Sequence, residues 1–180
     1  MSTPRRNIVF VAIAVLAACA TQPPSAKPPA LGVAASAEEI ARYDISIPPS
    51  GSGLPPGSGT AREGAAVYAA KCVACHGEKG AGKPADALAG GIGSLATGKP
   101  VRTVGSYWPY ATTLFDYTRR AMPITNPLSL KDDEVYAVSA YVLFLNGIVG
   151  EDAIMNAQTL PLVKMPNRDG FISEWPPRKD

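Results

Sequence analysis

The stretch 60-TAREGAAVYAAKCVACHGEKG-80 carries the only histidine of the chain, His76, directly behind the spacing Cys72-x-x-Cys75. Thr60 and Glu63 form a T-x-x-E pattern, in which each side chain satisfies a backbone N–H at a helix start. A helix is therefore predicted from Thr60 into Lys71. Gly64 and Tyr68 lie one turn apart on one face of it. A small residue beside an aromatic one suits a close crossing with another helix.

Two thiols and one imidazole allow three chemistries. A structural zinc site takes about four N, S or O ligands, and here a carboxylate would have to complete it. A thiol–disulfide switch needs the C-x-x-C at a helix N-terminus within an α/β pattern. In this chain the motif follows a helix, and no run shows clear strand alternation. Covalent haem attachment uses every residue: both thiols add to the porphyrin vinyl groups and the adjacent imidazole binds iron. Composition points the same way. Hydrophobic residues are 46% of the chain but aromatics only 7%, so a large flat cofactor would supply bulk that an Ala-rich core lacks. The reading is one haem c on Cys72 and Cys75, with His76 as an axial ligand.

The sixth iron position cannot be a histidine of this chain. Of the four methionines, Met122 is the favoured ligand. It ends a predicted helix, precedes Pro123 and lies shortly before the last long helix. Met155 and Met165 read as packing or surface residues of the tail. An open or water-filled position is the alternative. A thioether raises the potential relative to a second histidine.

Outward from the motif, 77–105 is Gly-rich loop. A second helix is expected over about 111–121, stopping before Pro123 because a residue preceding proline resists the helical region. A third is expected over about 132–146, with Asp132, Asp133 and Glu134 at its positive end and Gly147 as its C′ residue. Val135, Val138, Val142 and Leu145, with Tyr141, give it a wide apolar face. Residues 36–59 read as a coil-rich N-terminal extension on the surface, with a short helical possibility at AEEIARYD. Residues 150–180 read as a wrapping extension with another, 151-EDAIMNA-157. No internal repeat is evident.

Residues 1–19 have the form of a secretory signal, with Arg5 and Arg6 before an uncharged run that is too short to span a bilayer. The run ends 16-LAAC-19, which resembles the lipobox of bacterial lipoproteins, with Cys19 as the lipidated residue; a simple signal-peptidase site is the alternative. Residues 20–35 form a Pro/Ala-rich tether. Removing the signal takes two of the 17 basic residues and leaves them level with the 15 acidic ones. Nothing suggests nucleic acid. The expected location is the periplasm, with a lipid anchor in a membrane.

The order Gly64, Tyr68, Cys72-x-x-Cys75-His76-Gly77, Met122-Pro123 and a terminal helix resembles class I cytochrome c. The resemblance implies an all-α fold over 60–149, with first and last helices crossing beside the haem. It also implies a backbone carbonyl that accepts the histidine N–H, for which Pro84 is the nearest candidate. The runs 44-DISIPPSGSGLPPGSGTAREGAAVY-68, 102-RTVGSYWPYATTLFDYTRRAMP-123, 127-PLSLKDDEVYAVSAYVLFLNGIV-149 and 165-MPNRDGF-171 are similar to the haem c (Sox-type D) subunits of bacterial sulfite and sulfane dehydrogenases. That family implies a molybdenum dehydrogenase catalytic subunit as electron donor and a downstream cytochrome or oxidase as acceptor. The chain itself would carry single electrons and transform no substrate. Tyr107, Trp108 and Tyr110 are either core aromatics around the cofactor or donors to a haem propionate. Arg119 and Arg120 are either a solvated helix face or residues that neutralise a propionate or guide a partner. The rival functions are a generic periplasmic carrier for another dehydrogenase and a small-ligand-sensing haem protein with an open iron position.

Overall fold

The computed structural model describes residues 31–172. The expected signal, Cys19 and most of the tether lie outside the described residues. The chain divides into two compact units between Ala41 and Arg42. Around that boundary runs a short helix, α1 (Ala37–Tyr43), which buries none of its residues. Ser36 and Glu39 cap its start reciprocally.

The second unit is built on two helices. Helix α2 (Ala61–Lys71) opens on the expected box: Thr60 N–H donates to the Glu63 carboxylate at 2.8 Å and Glu63 N–H donates to Thr60 Oγ1. Two short helices follow, α3 (Val73–His76) and α4 (Val104–Tyr107), then α5 (Ala111–Ala121) and α6 (Asp132–Leu145). Gly147 takes up φ 67° just beyond α6, the left-handed conformation that a helix-ending glycine adopts without steric cost.

Helices α2 and α6 cross with backbones nearly touching. A Cβ on Gly64 would lie 1.9 Å from the Ala137 carbonyl oxygen, so only hydrogen fits there. Tyr68 packs on Tyr141 with ring centroids 5.2 Å apart, and Lys71 pairs with Glu134 at 2.9 Å. Phe115 against Tyr136, at 4.4 Å, joins α5 to α6.

Helix α6 is buried more fully than one apolar stripe requires. Tyr136, Ala140 and Leu143 are as enclosed as Val135, Val138 and Val142. The flanking segments cover its second side. Residues 44–59 run as coil over the surface but are tied down: Ile47 is buried and its N–H donates to Asp116 at 2.8 Å. Tyr136 donates to the Pro55 carbonyl, and Ser58 N–H donates to Asp133. A Pro/Gly-rich segment forms no ladder of its own, so its buried backbone groups take side-chain partners from α5 and α6.

The segment closes with β1 (Ser58–Gly59), antiparallel to β2 (Met155–Asn156). Strand β2 and a turn take the place of the short helical possibility at 151–157. Asn156 Oδ1 accepts from the N–H groups of Gln158 and Thr159, a local turn that competes with helix. Among the described residues no helix is long and apolar enough to cross a membrane.

Candidate cofactor site

Helix α2 ends at Cys72, and α3 carries Cys75 and His76 in its single turn. The chain then folds back on the motif. Gly77, at φ 69°, offers its carbonyl to the Tyr68 hydroxyl at 2.8 Å. Gly82 N–H donates to the His76 carbonyl and Ala85 N–H to the Cys75 carbonyl, at 2.7 and 2.8 Å. These bonds bring the Asp86 carbonyl to 2.9 Å from His76 Nδ1. A carbonyl oxygen only accepts, so Nδ1 carries the proton and the Nε2 lone pair is left for a metal. The expected acceptor, Pro84, is displaced by two residues, because Lys83 and Ala85 bond each other inside the loop.

His76, Cys72 and Cys75 line a cavity of about 430 Å³, within the roughly 300–1,000 Å³ usual for ligand sites. Tyr68, Leu88, Val104 and Leu114 wall it, and Val138 and Val142 of α6 reach it from behind. Met122, the C-cap residue of α5, lines the same cavity with Pro123, Ile124 and Thr125. Its N–H is tied to the Thr118 carbonyl at 3.1 Å. Met155 and Met165 are buried in the core and do not line the cavity.

The thiols are free, and burial pushes Cys72 up to about 11, which Lys71 offsets only in part. A protonated, half-buried thiol does not suit a disulfide switch, which works through the thiolate. Among the described residues no group of three His, Cys, Asp or Glu side chains converges to hold a metal ion. Two thiols, one imidazole with a fixed tautomer and one thioether around an apolar cavity fit a covalently attached haem, and do not fit a zinc site.

Of the five other residues proposed for the pocket, Trp108 alone lines it. Arg119 is engaged by Asp132 at 3.2 Å, and Arg120 is bound to Asp116 one turn back on α5. Tyr107 lies beneath the Arg102 guanidinium and Tyr110 beneath that of Arg168. The two arginines are thus held by carboxylates and the two tyrosines by cations outside the cavity. Sequence reasoning missed Tyr117, which lines the cavity and meets Trp108 edge-on at 5.8 Å. Its signal was present: Leu114, Tyr117 and Thr118 share one face of α5 at i, i+3 and i+4, and all three line the cavity.

A C-x-x-C-H turn closed onto its own helix, a first and last helix in backbone contact and a methionine in the wall of the same cavity define a class I cytochrome c fold. The sequence profile of cytochrome c oxidase, cbb3-type, subunit III matches residues 59–142. The crystal structure of the sulfane dehydrogenase SoxCD from Paracoccus pantotrophus contains a similar chain, at 41% identity and a TM-score of 0.76. The alignment covers 81% of this chain and 72% of that one. No curated protein sequence matches the chain. The chain belongs to the cytochrome c family, among the Sox-type haem c subunits, and membership implies a covalently bound haem c.

Proposed function

We propose that the chain is a monohaem cytochrome that passes single electrons from a molybdenum sulfane or sulfite dehydrogenase subunit to a further cytochrome or oxidase. The observation that carries this reading is the pairing of His76 and Met122 on the walls of one apolar cavity, with both motif thiols beside them. Cys72 and Cys75 would hold the haem by thioether bonds, and His76 Nε2 and Met122 Sδ would be its axial ligands. When bound, the haem supplies reversible one-electron Fe(III)/Fe(II) chemistry.

The chain's own part is to set that chemistry. The Asp86 carbonyl holds the His76 proton on Nδ1 and keeps the ring oriented. The apolar walls keep water from the iron, which favours the less charged ferrous state. The soft Met122 thioether acts in the same direction. The likeness to a chain of SoxCD supports a sulfur-compound dehydrogenase as donor. The match to an oxidase-subunit profile favours, as a second reading, a general carrier for another dehydrogenase. Export to the periplasm and a lipid anchor at Cys19 belong to the same proposal and are supported by the sequence 16-LAAC-19.

Met122→Ala tests the site. The reduced variant is expected to bind carbon monoxide rapidly at neutral pH while the wild type does not. Rapid binding by the wild type would favour the open-site sensor instead. Mixing the cytochrome with a sulfane dehydrogenase catalytic subunit and its substrate tests the partner, and haem reduction within the mixing time is expected. Reduction only by an unrelated dehydrogenase would favour the general carrier.

A further inference from the structure

We propose that the C-terminal segment 165–171 is a clasp that positions Trp108 in the cavity and thereby sets the reduction potential. The proposal rests on the reading that haem c fills that cavity. Trp108 is the member of the run 107-YWPY-110 that lines the cavity. Tyr107 before it and Tyr110 two residues after it are gripped by the C-terminal segment.

Asn167 Nδ2 donates to the Tyr107 carbonyl at 2.8 Å, which is the peptide group leading into Trp108. Phe171 meets the Tyr107 ring edge-on at 5.2 Å. The Arg168 guanidinium lies over the Tyr110 ring, 4.2 Å from its centroid, a cation–π contact at close range. The segment is itself anchored by Met165, which is 1% exposed, and turned by the bond from Arg168 N–H to the Met165 carbonyl at 3.1 Å.

Trp108 follows α4 with extended backbone, at φ −72° and ψ 130°. No helical bond therefore fixes the indole there. Beside its packing on the core, its place depends on Tyr107 and Tyr110 near it in the chain and on the edge contact with Tyr117. Asn167, Arg168 and Phe171 touch nothing in the cavity and act through Tyr107 and Tyr110, so they are positioning residues. Releasing them lets the indole move and admits water. Water solvates the more highly charged ferric state, so the potential falls.

The test uses the full-length haem protein and the double variant Asn167→Ala/Phe171→Ala, which leaves net charge unchanged. Its redox equilibrium is expected to shift at least threefold toward the ferric form, about 30 mV at 59 mV per decade. The same pair of substitutions made in a Trp108→Phe background should add no further shift, because the clasp acts through Trp108. If the double variant does not retain haem, the single Asn167→Ala change is read in the same cycle. An unchanged potential with lowered thermal stability would overturn the clasp and leave the cytochrome reading intact. An equal shift in both backgrounds would also overturn it. A wild-type chain that acquires no haem would overturn the underlying reading and the clasp with it.

Discussion

The α2–α6 crossing and the two segments that wrap it, 44–59 and 150–172, are held to the core by different means. The crossing is made by contact between backbones. Gly64 of α2 abuts the Ala137 carbonyl, and Tyr68 lies on Tyr141. Apart from the short β1–β2 pairing, the wrapping segments hold by side chains that reach for isolated backbone groups, as Asp116 does for Ile47, Tyr136 for Pro55 and Asn167 for Tyr107. Steric fit at the crossing tolerates almost no added volume. A set of separate hydrogen bonds can lose one member and keep the rest. The crossing should therefore be brittle and the wrapping graded.

The largest expected effect is at the crossing. In Gly64→Ala the new methyl meets the Ala137 carbonyl, which is backbone and cannot rotate away. Overpacking of this kind costs about 3 kcal/mol at the upper end of its range, or a fall in Tm of roughly 10 °C. A denaturant melt of the variant checks it, and an unchanged midpoint would mean that the helices cross farther apart.

Asp116→Ala comes next. Burial pushes the Asp116 carboxyl up, but hydrogen bonds from Arg120 and the Ile47 N–H, with the charges of Arg120 and Arg119, outweigh it and leave its pKa lowered. Removing the carboxylate strands both donors and should cost about 2 kcal/mol. Because the folded-state value lies below the ordinary 3.8, the contribution is fully present above that pH. It is lost as pH falls through the folded value. Wild type and variant should therefore converge in stability only below about pH 4. A difference that vanished already at neutral pH would show that Asp116 does not anchor the N-terminal segment.

The smallest effect belongs to Arg62, which pairs with Glu151 at 3.2 Å and with Asp152 at 2.9 Å in open solvent. Exposed pairs pay side-chain entropy and are screened by salt. Arg62→Ala should not move a denaturant midpoint measured at physiological ionic strength. A clear loss would give the 150–172 segment an electrostatic anchor that its exposure does not suggest.

The same contrast explains what could be read in advance. The cap at Thr60, the small-aromatic pair Gly64 and Tyr68 and the helix ends at Met122 and Gly147 are local patterns. Each needs only a few neighbouring residues to be recognised, and the structure places them where those patterns put them. The short strands β1 and β2 were illegible because neither has a pattern of its own. They exist where Gly59 meets Met155 across almost a hundred residues. For Arg119 and Arg120 the sequence leaves a solvated helix face and a charge partner both open, and the structure pairs each with a carboxylate. Asp116 lies one turn before Arg120 on the same helix, a spacing the sequence displays, whereas only the packing of α5 against α6 brings Asp132 to Arg119. Tyr110 was likewise read toward the cavity because its cation, Arg168, lies far along the chain.

The central claim is that this chain surrounds one covalently held haem c. It is tested most directly by producing the chain in a host that attaches haem c, denaturing it, and recording the alkaline pyridine spectrum of the protein after acid–acetone extraction. One haem c per chain should remain with the polypeptide, and Cys72→Ser/Cys75→Ser should carry none. A wild-type chain that yields no haem, or gives all of it up to the solvent, would contradict the account.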